Sequence, residues 1–417
     1  MQKRILAFQY NEDRKHTAQF ISDTISMVAK YYGLEHKILC ISFDNASNNT
    51  AAVDSLKIAL SPPLADIFHV RCACHIYNLI VKYGLYFFEP IIEKVRHAVG
   101  FIQGNNRKAR LKEFKRKCEE NNLRPRLMPE EIETRWNSTY DFLKTCNIYK
   151  APITTTFNQY AYKFPEVMLQ ESDWDKINDV VIFLEKFYLA TVEFSGAYYP
   201  TVCNILAYIA DLSLLLMEYR CKTEYKDAIT QMVEKFKKYF FPIPPIYLIG
   251  AMLNPCMKFT TMSEFVRIIY SSLEIKPEEK PSMFKTMSDT NDHIQSLYNH
   301  YVDLLDNATP THTVPLARPS DEPSSSKRQA HGMPAHCVTN LSVWSKIQPT
   351  SQRSVNRDEL NYYLRQAPES YQNNVSALDW WKNNQNQYPV LSTMARDVLN
   401  VPMSTVASES AFSQGRQ

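Results

Sequence analysis

The chain has 417 residues and a formal net charge of +3, so its length allows two or three domains and its overall charge indicates no particular partner. Its 8 glycines include no GxGxxG and no Gly-Lys pair, which excludes the phosphate loops of nucleotide-dependent kinases, ATPases and dehydrogenases. No apolar stretch reaches the roughly 20 residues of a membrane span. Nine cysteines without framework spacing are typical of reduced thiols in an intracellular protein. We therefore expect no nucleotide cofactor and no membrane partner.

The first 75 residues carry alternating strand and helix patterns, which predict an α/β sheet. The run 38–43 is continuously apolar and favours a strand buried on both faces. Asp44 follows that run directly. In chain order we expect a strand at 4–9, a helix at 16–32, a strand at 38–43, a helix capped by Ser47, a strand at 68–72, and a helix from Ala73.

Residues 76–305 are mostly helical by pattern. One amphipathic helix carries Trp174, Ile177 and Val181 on its apolar face, with Ser172 as its expected cap. Residues 306–352 are biased to Pro, Ser, Thr and His, which is typical of a flexible linker. Ordered, apolar patterns return in residues 353–417.

One segment is strongly basic and has seven Lys or Arg among eleven residues. On a helix these side chains would cover much of the circumference, with Leu111 and Phe114 anchoring one side. Such a surface attracts phosphate and predicts DNA binding, while the alternative is an ordinary solvated helix face. The basic residues are Arg107, Lys108, Arg110, Lys112, Lys115, Arg116 and Lys117.

Two acids near opposite ends of the chain have distinctive surroundings. Asp44 lies just past the apolar strand, and Glu409 lies on a late helix among small residues. Acids placed in this way can form half of a metal-binding carboxylate cluster. The alternatives are a turn or capping role for Asp44 and a solvated position for Glu409.

Cys72, Cys74 and His75 are close in sequence but fall short of a zinc motif. A structural zinc site takes four ligands, usually in two paired knuckles, and the other Cys/His pair, at 336–337, lies in the expected linker. We therefore favour a buried cysteine and a hydrogen-bonded histidine over a zinc site.

Several segments, in order along the chain, resemble the hAT (hobo–Activator type) transposases, especially their domesticated sleeper-type relatives with a BED zinc finger. No single segment decides the matter, but their order makes the resemblance specific. They are DNASNN at 44–49, RCACHIYNLI at 71–80, TRWNST at 134–139, WW at 380–381, YPVL at 388–391, ARDVL at 395–399, and residues 404–413.

This resemblance implies an α/β RNase H-like core interrupted by a large all-α insertion, in a chain that is mostly helical overall. It divides the chain into a first part of the core (1–75), the helical insertion (76–305), the linker (306–352) and a C-terminal dimerisation segment that completes the core (353–417). The expected strand at 4–9 resembles a later strand of that core. The resemblance therefore implies an incomplete core, without its initial strands, the first catalytic acid and the zinc finger.

The resemblance also assigns roles to particular residues. Asp44 and Glu409 match catalytic acids that hold divalent metal, Mg²⁺ in active relatives, and Cys72 and His75 match a pair beside the active site. Arg135 and Trp136 match an Arg-Trp pair that contacts DNA, in which Trp stacks on an extruded base. The alternative for the tryptophan is a place in the core or an interface.

A homodimer is implied as well, and part of its interface is expected in the C-terminal segment. The alternative is that the same side chains form plain core. The expected interface residues are Trp380, Trp381, Leu391, Met394, Val398 and Leu399.

We interpret the chain as a nuclear, DNA-binding and dimerising protein derived from a transposase. Because the first acid is expected upstream of residue 1, Asp44 and Glu409 are interpreted as vestigial, catalysis is not expected, and no cofactor is required. Two alternatives stay open. One is a fragment of an active transposase that cleaves and joins phosphodiesters with metal ions, and the other is a scaffold that binds only proteins.

Overall fold

The computed structural model describes residues 4–7, 16–104, 107–132, 135–196, 198–276, 281–308, 358–370 and 375–406. The predicted linker at 306–352 falls almost wholly outside these ranges, and so does Glu409. The described part of the chain is mostly helical, as predicted. Among these residues no helix is both long enough and apolar enough to cross a membrane.

The N-terminal region combines two helices with two short strands. The helices α1 and α2 pack against each other over a small core that includes Ala29, Leu56 and Phe68. The elements are α1 (Ala18–Tyr31), β1 (Ile41–Phe43), α2 (Ser47–Leu60) and β2 (His69–Arg71).

The two strands form a parallel pair, with Ile41 opposite His69 and Phe43 opposite Arg71. This is the one sheet among the described residues. The helices predicted at 16–32 and after residue 46, the strand predicted at 68–72, and the helix from Ala73 are all present within a few residues.

Three of our local expectations for this region were wrong. The strand predicted at 38–43 is only three residues long and half-buried, because Ile41 and Phe43 pack on the small core while Ser42, on the other face, contacts the backbone of Pro402. Residues 4–7, the described part of the strand predicted at 4–9, form no strand. Ser47 does not cap α2, because Ala46 occupies the N-cap position. The carboxylate of Asp44 accepts the backbone N–H of Ala46.

The middle of the chain is a helical assembly around one long helix, α3, which packs against five of the helices that follow it. Tyr77 of α3 is fully buried among the rings of Phe187, Phe194 and Phe240. The predicted cap Ser172 was wrong, because Gln170 and Asp173 cap the helix that carries Trp174. The helices are α3 (Ala73–Gln103), α4 (Lys108–Glu120), α5 (Trp136–Ile148), α6 (Lys150–Asn158), α7 (Glu171–Phe194), α8 (Ile205–Arg220), α9 (Lys226–Phe240), α10 (Pro245–Met252), α11 (Lys258–Ser272) and α12 (Met283–Ala308).

The C-terminal helices dock onto this assembly and share its core. Trp381 is fully buried and donates its indole N–H to the carbonyl of Leu253 at 2.8 Å. Tyr363 donates its hydroxyl to the carbonyl of Met252 at 3.1 Å. These helices are α13 (Glu359–Arg365), α14 (Ala377–Asn383) and α15 (Pro389–Leu399).

We expect the two neighbouring tryptophans to contribute very differently to stability. Trp381→Ala should lower the free energy of unfolding by about 3–5 kcal/mol, because it empties a large core site and leaves the Leu253 carbonyl without its donor. Trp380 is partly exposed and bonds the Glu369 carboxylate, so Trp380→Ala should cost about 1 kcal/mol. Urea unfolding of both variants measures the difference, and equal costs would contradict the docking described above.

Candidate functional site

The carboxyl ends of β1 and β2 meet at one edge of the sheet, and the end of the described chain crosses that edge. Ser42 of β1 donates its hydroxyl to the carbonyl of Pro402 at 2.7 Å. The backbone N–H of Ala73 donates to the carbonyl of Met403 at 2.8 Å, and the N–H of Thr405 approaches the Cys72 sulfur at 3.3 Å. The last described residues therefore lie beside the residues that follow both strands.

Asp44 lies at this edge, directly after β1. Its Oδ1 accepts the backbone N–H of Ala46 at 2.9 Å and the side-chain amide of Asn49 at 2.6 Å. These bonds give Asp44 the turn and capping role that we weighed against metal binding. Because Glu409 lies outside the described residues, its approach to Asp44 stays a prediction.

The neighbouring Asn45 gives a test of whether the edge fits a metal ion. Its side-chain nitrogen and oxygen are both buried and have no hydrogen-bond partner. An amide oxygen and a carboxylate oxygen are donors that Mg²⁺ accepts, but the metal needs more of them. In the described ranges no three His, Cys, Asp or Glu residues come together as a ligand group. Asp44 and Asn45 alone therefore make an incomplete site, and a further acid such as Glu409 would have to complete it.

Cys72 and Cys74 lie where β2 passes into α3. Cys72 occupies the N-cap position of α3, and both side chains are buried. The Cys74 thiol donates a hydrogen bond to Cys72, and this bond, together with the bonds from Thr405, lowers the pKa of Cys72. The hydrogen bond to Cys72, together with burial, raises the pKa of Cys74. The sulfur of Cys72 thus serves as an acceptor that holds the returning C-terminal segment. His75 is half-buried in the first turn of α3.

His69 begins β2, at the end of the strand pair opposite to this edge, and is held neutral. Burial lowers its pKa to about 4, and the positive charges of Arg71 and Lys57 act in the same direction. Its ring lies 6.1 Å from the ring of Phe43 on β1. A protonated His69 would put a charge into a largely buried site beside two cations, so folding favours the neutral form.

The predicted basic segment forms α4, but its charges are not equivalent. Arg116 pairs with Glu113 and Glu120, and Lys117 pairs with Glu120. Arg110 lies over the ring of Phe101 at 4.2 Å. Several cations of the basic segment therefore interact with acids or rings of the same chain.

The remaining lysines of α4 form a stripe along one exposed side. Lys108, Lys112 and Lys115 are exposed, and none of them forms an ion pair with a described residue. Their spacing of four and three residues places them on the same side of the helix. Phe114 and Cys118 are buried and fix α4 against α3 and α6. We call these three residues the lysine stripe. Arg107 is also exposed and donates to the backbone carbonyl of Gln103.

Arg135 and Trp136 begin α5 and have different surroundings. Arg135 is exposed, whereas Trp136 is 4% exposed and belongs to the main core. The burial of Trp136 supports the core alternative, because an indole that stacks on an extruded base must offer a free face. The DNA contact predicted for Arg135 stays a prediction.

The residues predicted for the dimer interface lie inside their own chain, which corrects that prediction. Trp381, Leu391, Met394, Val398 and Leu399 are buried in the main core, and Trp380 is partly buried against it. The helix α15, which carries four of these residues, packs on α10 and α12 of the same chain. The five buried side chains are therefore unavailable to a second copy, whereas Trp380 stays partly exposed. A pattern of apolar residues does not distinguish these two kinds of burial.

The contacts of residues 402–405 with the edge of the sheet were not predicted. Residues 402–405 take part through backbone carbonyls and N–H groups, which leave no trace in side-chain patterns. Their side-chain partners are Ser42, Cys72 and Thr201, whose Oγ1 accepts the N–H of Met403 at 3.3 Å.

Comparisons with known proteins match three families along the chain. The hAT family C-terminal dimerisation region matches residues 359–417, the ZBED1 RNase-like helical domain matches 70–183, and the ZBED1 RNase-like domain matches 1–65.

Individual relatives are similar over nearly the whole chain. A putative AC transposase of Zea mays is 26% identical over 100% of this chain and 50% of its own length. Zinc finger BED domain-containing protein RICESLEEPER 1 of Oryza sativa subsp. japonica is 26% identical over 100% of this chain and 57% of its own length. A putative transcriptional regulator, tpeD of Talaromyces stipitatus, is 22% identical over 96% of this chain and 45% of its own length. The chain thus spans about half the length of these curated relatives.

We expect His69 to make stability sensitive to acid. Its folded-state pKa of about 4 lies below the value of about 6.5 in an unfolded chain, so its stabilising effect is complete above pH 6.5 and is lost as the pH falls toward 4. Compared with wild type, His69→Gln should lose about 1–2 kcal/mol less free energy of unfolding between pH 7 and pH 4.5. Urea unfolding at both values measures this. His36→Gln, at an exposed histidine, is the control, and an equal effect of both variants would contradict the assignment.

Proposed function

Because this chain is an hAT-related protein that carries the family's C-terminal dimerisation region, we propose that it is a nuclear DNA-binding protein that acts as a homodimer and does not transpose DNA. The observation that carries the DNA-binding part is the lysine stripe, whose three ammonium groups are free of acidic partners among the described residues. The relatives described as BED zinc finger proteins and as a transcriptional regulator support a nuclear role.

The lysine stripe suits the phosphates of duplex DNA. Phosphate contacts give sequence-independent affinity through the release of bound counterions. Lysine is a flexible point charge that fits such contacts without selecting a base. Arg135 can add a further contact to phosphate or a base edge, because it is exposed at the start of α5. Base-specific recognition is not part of the proposal.

The arrangement around Asp44 supports a protein that does not catalyse transposition. The Asp44 carboxylate is used to cap the turn before α2, and in the described ranges it belongs to no group of three His, Cys, Asp or Glu residues that could hold a metal ion. In active relatives bound Mg²⁺ would activate water or a 3′-hydroxyl for attack on a phosphodiester. Here Asp44 and Asn45 would help to hold such an ion only together with Glu409 or another acid.

A fragment of an active transposase is the second candidate function. The observation that favours it is the return of residues 402–405 to the edge beside Cys72, which brings the segment leading to Glu409 toward Asp44. Labelled duplexes incubated with Mg²⁺ or Mn²⁺ distinguish the two candidates. Cleavage that disappears in Asp44→Ala would establish the active enzyme and overturn our proposal.

We expect the lysine stripe to determine duplex affinity. Changing Lys108, Lys112 and Lys115 together to Gln should weaken binding and reduce the slope of log K against log salt by about 0.9 for each lost phosphate contact. Fluorescence anisotropy with a labelled duplex at several salt concentrations measures both effects. The control is Arg116→Gln combined with Lys117→Gln, whose charges already pair with Glu113 and Glu120. A triple variant with an unchanged slope would leave α4 as a solvated face.

We expect the protein to self-associate through exposed residues of its dimerisation region. Light scattering of the whole protein should give twice the chain mass of 48.5 kDa. In the described part of this region, Tyr362 is the large hydrophobic side chain that stays 51% exposed. Tyr362→Arg should therefore shift the dimer toward monomer, since it puts a charge into an apolar contact. Tyr86→Arg, at an exposed tyrosine outside the region, should not. A monomer at all concentrations would refute dimerisation.

A further inference from the structure

The outer side of α3 carries three exposed aromatic rings that the proposed function does not use. Tyr86 is 76% exposed, Tyr83 40% and Phe87 36%. They occupy positions i, i+3 and i+4 of one helix, so they are neighbours on its surface. The rings of Tyr86 and Phe87 lie edge to face, with centroids 5.8 Å apart. We call these three residues the aromatic platform.

Lysines surround the aromatic platform on both sides. Lys82 is exposed in the same turn of α3, and Lys235 of α9 places its ammonium 4.9 Å from the centre of the Tyr83 ring. Neither Lys82 nor Lys235 forms an ion pair with a described residue, whereas Lys237 of α9 pairs with Glu234. The platform therefore has free positive charge at its border.

The backbone beneath the platform is held rigidly. Gly84 lies against the sulfur of Met232 on α9, where an added Cβ would come within 2.3 Å. Leu85 and Phe88 are buried in the main core directly beside the exposed rings. The two helices thus pack closely, which fixes the backbone positions that carry the rings and Lys235.

A second exposed apolar surface, on α7, has a different chemistry. Ile182, Leu189 and Val192 are about half exposed there, and they are aliphatic. Their borders are formed by ion pairs, Lys144 with Glu185 and Lys186 with Asp211. The lysines named at the border of that surface are therefore paired, whereas Lys82 and Lys235 beside the aromatic platform have no ion-pair partner among the described residues.

We propose that the aromatic platform and its lysines bind single-stranded nucleic acid. Unpaired bases stack on exposed aromatic rings whatever their sequence, and lysines beside the rings attract the phosphates between those bases. A duplex keeps its bases stacked inside and offers them to no ring. This surface therefore differs in ligand from the lysine stripe of α4, which meets phosphates alone.

The test measures binding of the whole protein to a fluorescein-labelled single strand of thymidine nucleotides by anisotropy. Tyr86→Ala should weaken binding by about 5- to 100-fold, the usual effect of removing one stacking ring. Tyr86→Phe keeps the ring and should bind as wild type does. The same variants should leave affinity for a duplex unchanged. A matching uridine oligonucleotide shows whether DNA or RNA is preferred, and binding of either one by the platform supports the proposal.

The matched control is Leu189→Ala, which removes a similarly exposed apolar side chain from the α7 surface. It should leave single-strand affinity unchanged. The proposal is overturned if wild type does not bind the single strand, if Tyr86→Ala binds as tightly as wild type, or if Leu189→Ala weakens binding equally. Failure of the duplex prediction for α4 would not affect this result, because that test changes Lys108, Lys112 and Lys115 and uses a different ligand.

Discussion

The structure depends on hydrogen bonds that residues 402–405 supply to the edge of a two-stranded sheet. Backbone groups at the end of a strand and at the start of a helix need partners when they are buried. Here the N–H of Ala73, at the beginning of the 31-residue α3, finds its acceptor on Met403, which lies 330 positions along the chain. The long central helix and the C-terminal segment are thereby fixed to the same edge as Asp44 and Cys72.

Buried polar groups determine how the C-terminal helices α13 and α15 dock. Lys258 is 2% exposed and donates to the carbonyls of Tyr363 and Gln366, and burial lowers the pKa of its ammonium. Glu359 is 1% exposed and accepts the first free N–H groups of α15, those of Val390 and Leu391. Such contacts are costly to break on one side only, because the remaining charge would lie buried without its partner. They specify one way of docking these helices, where apolar packing alone would allow several.

Paired and unpaired charges decide which basic residues are free to bind. Arg116 and Lys117 appear in the sequence as part of a continuous basic segment, yet acids of the same helix neutralise them. Lys108, Lys112 and Lys115 are exposed and have no acidic partner among the described residues, and half-buried Lys235 beside Tyr83 has none either. Two surfaces result, one made of charge alone and one made of charge with aromatic rings. Because they lie on different helices, the residues of one can be changed without touching the other.

The sequence by itself determined the helical majority of the fold, the order of β1, α2, β2 and α3, and the position of the basic helix, since these follow from local periodicity. It also determined the relation to hAT transposases through segments such as 71–80 and 395–399.

The tertiary structure alone decided whether an apolar residue faces its own core or the surface. Trp136, Trp381 and Leu391 are core, while Tyr86 is exposed, and their residue types give no sign of this. It also decided the half-burial of β1, because the burial of a strand depends on what packs on each of its two faces. The contacts of residues 402–405 likewise needed the folded chain, because backbone hydrogen bonds across 330 positions have no local pattern.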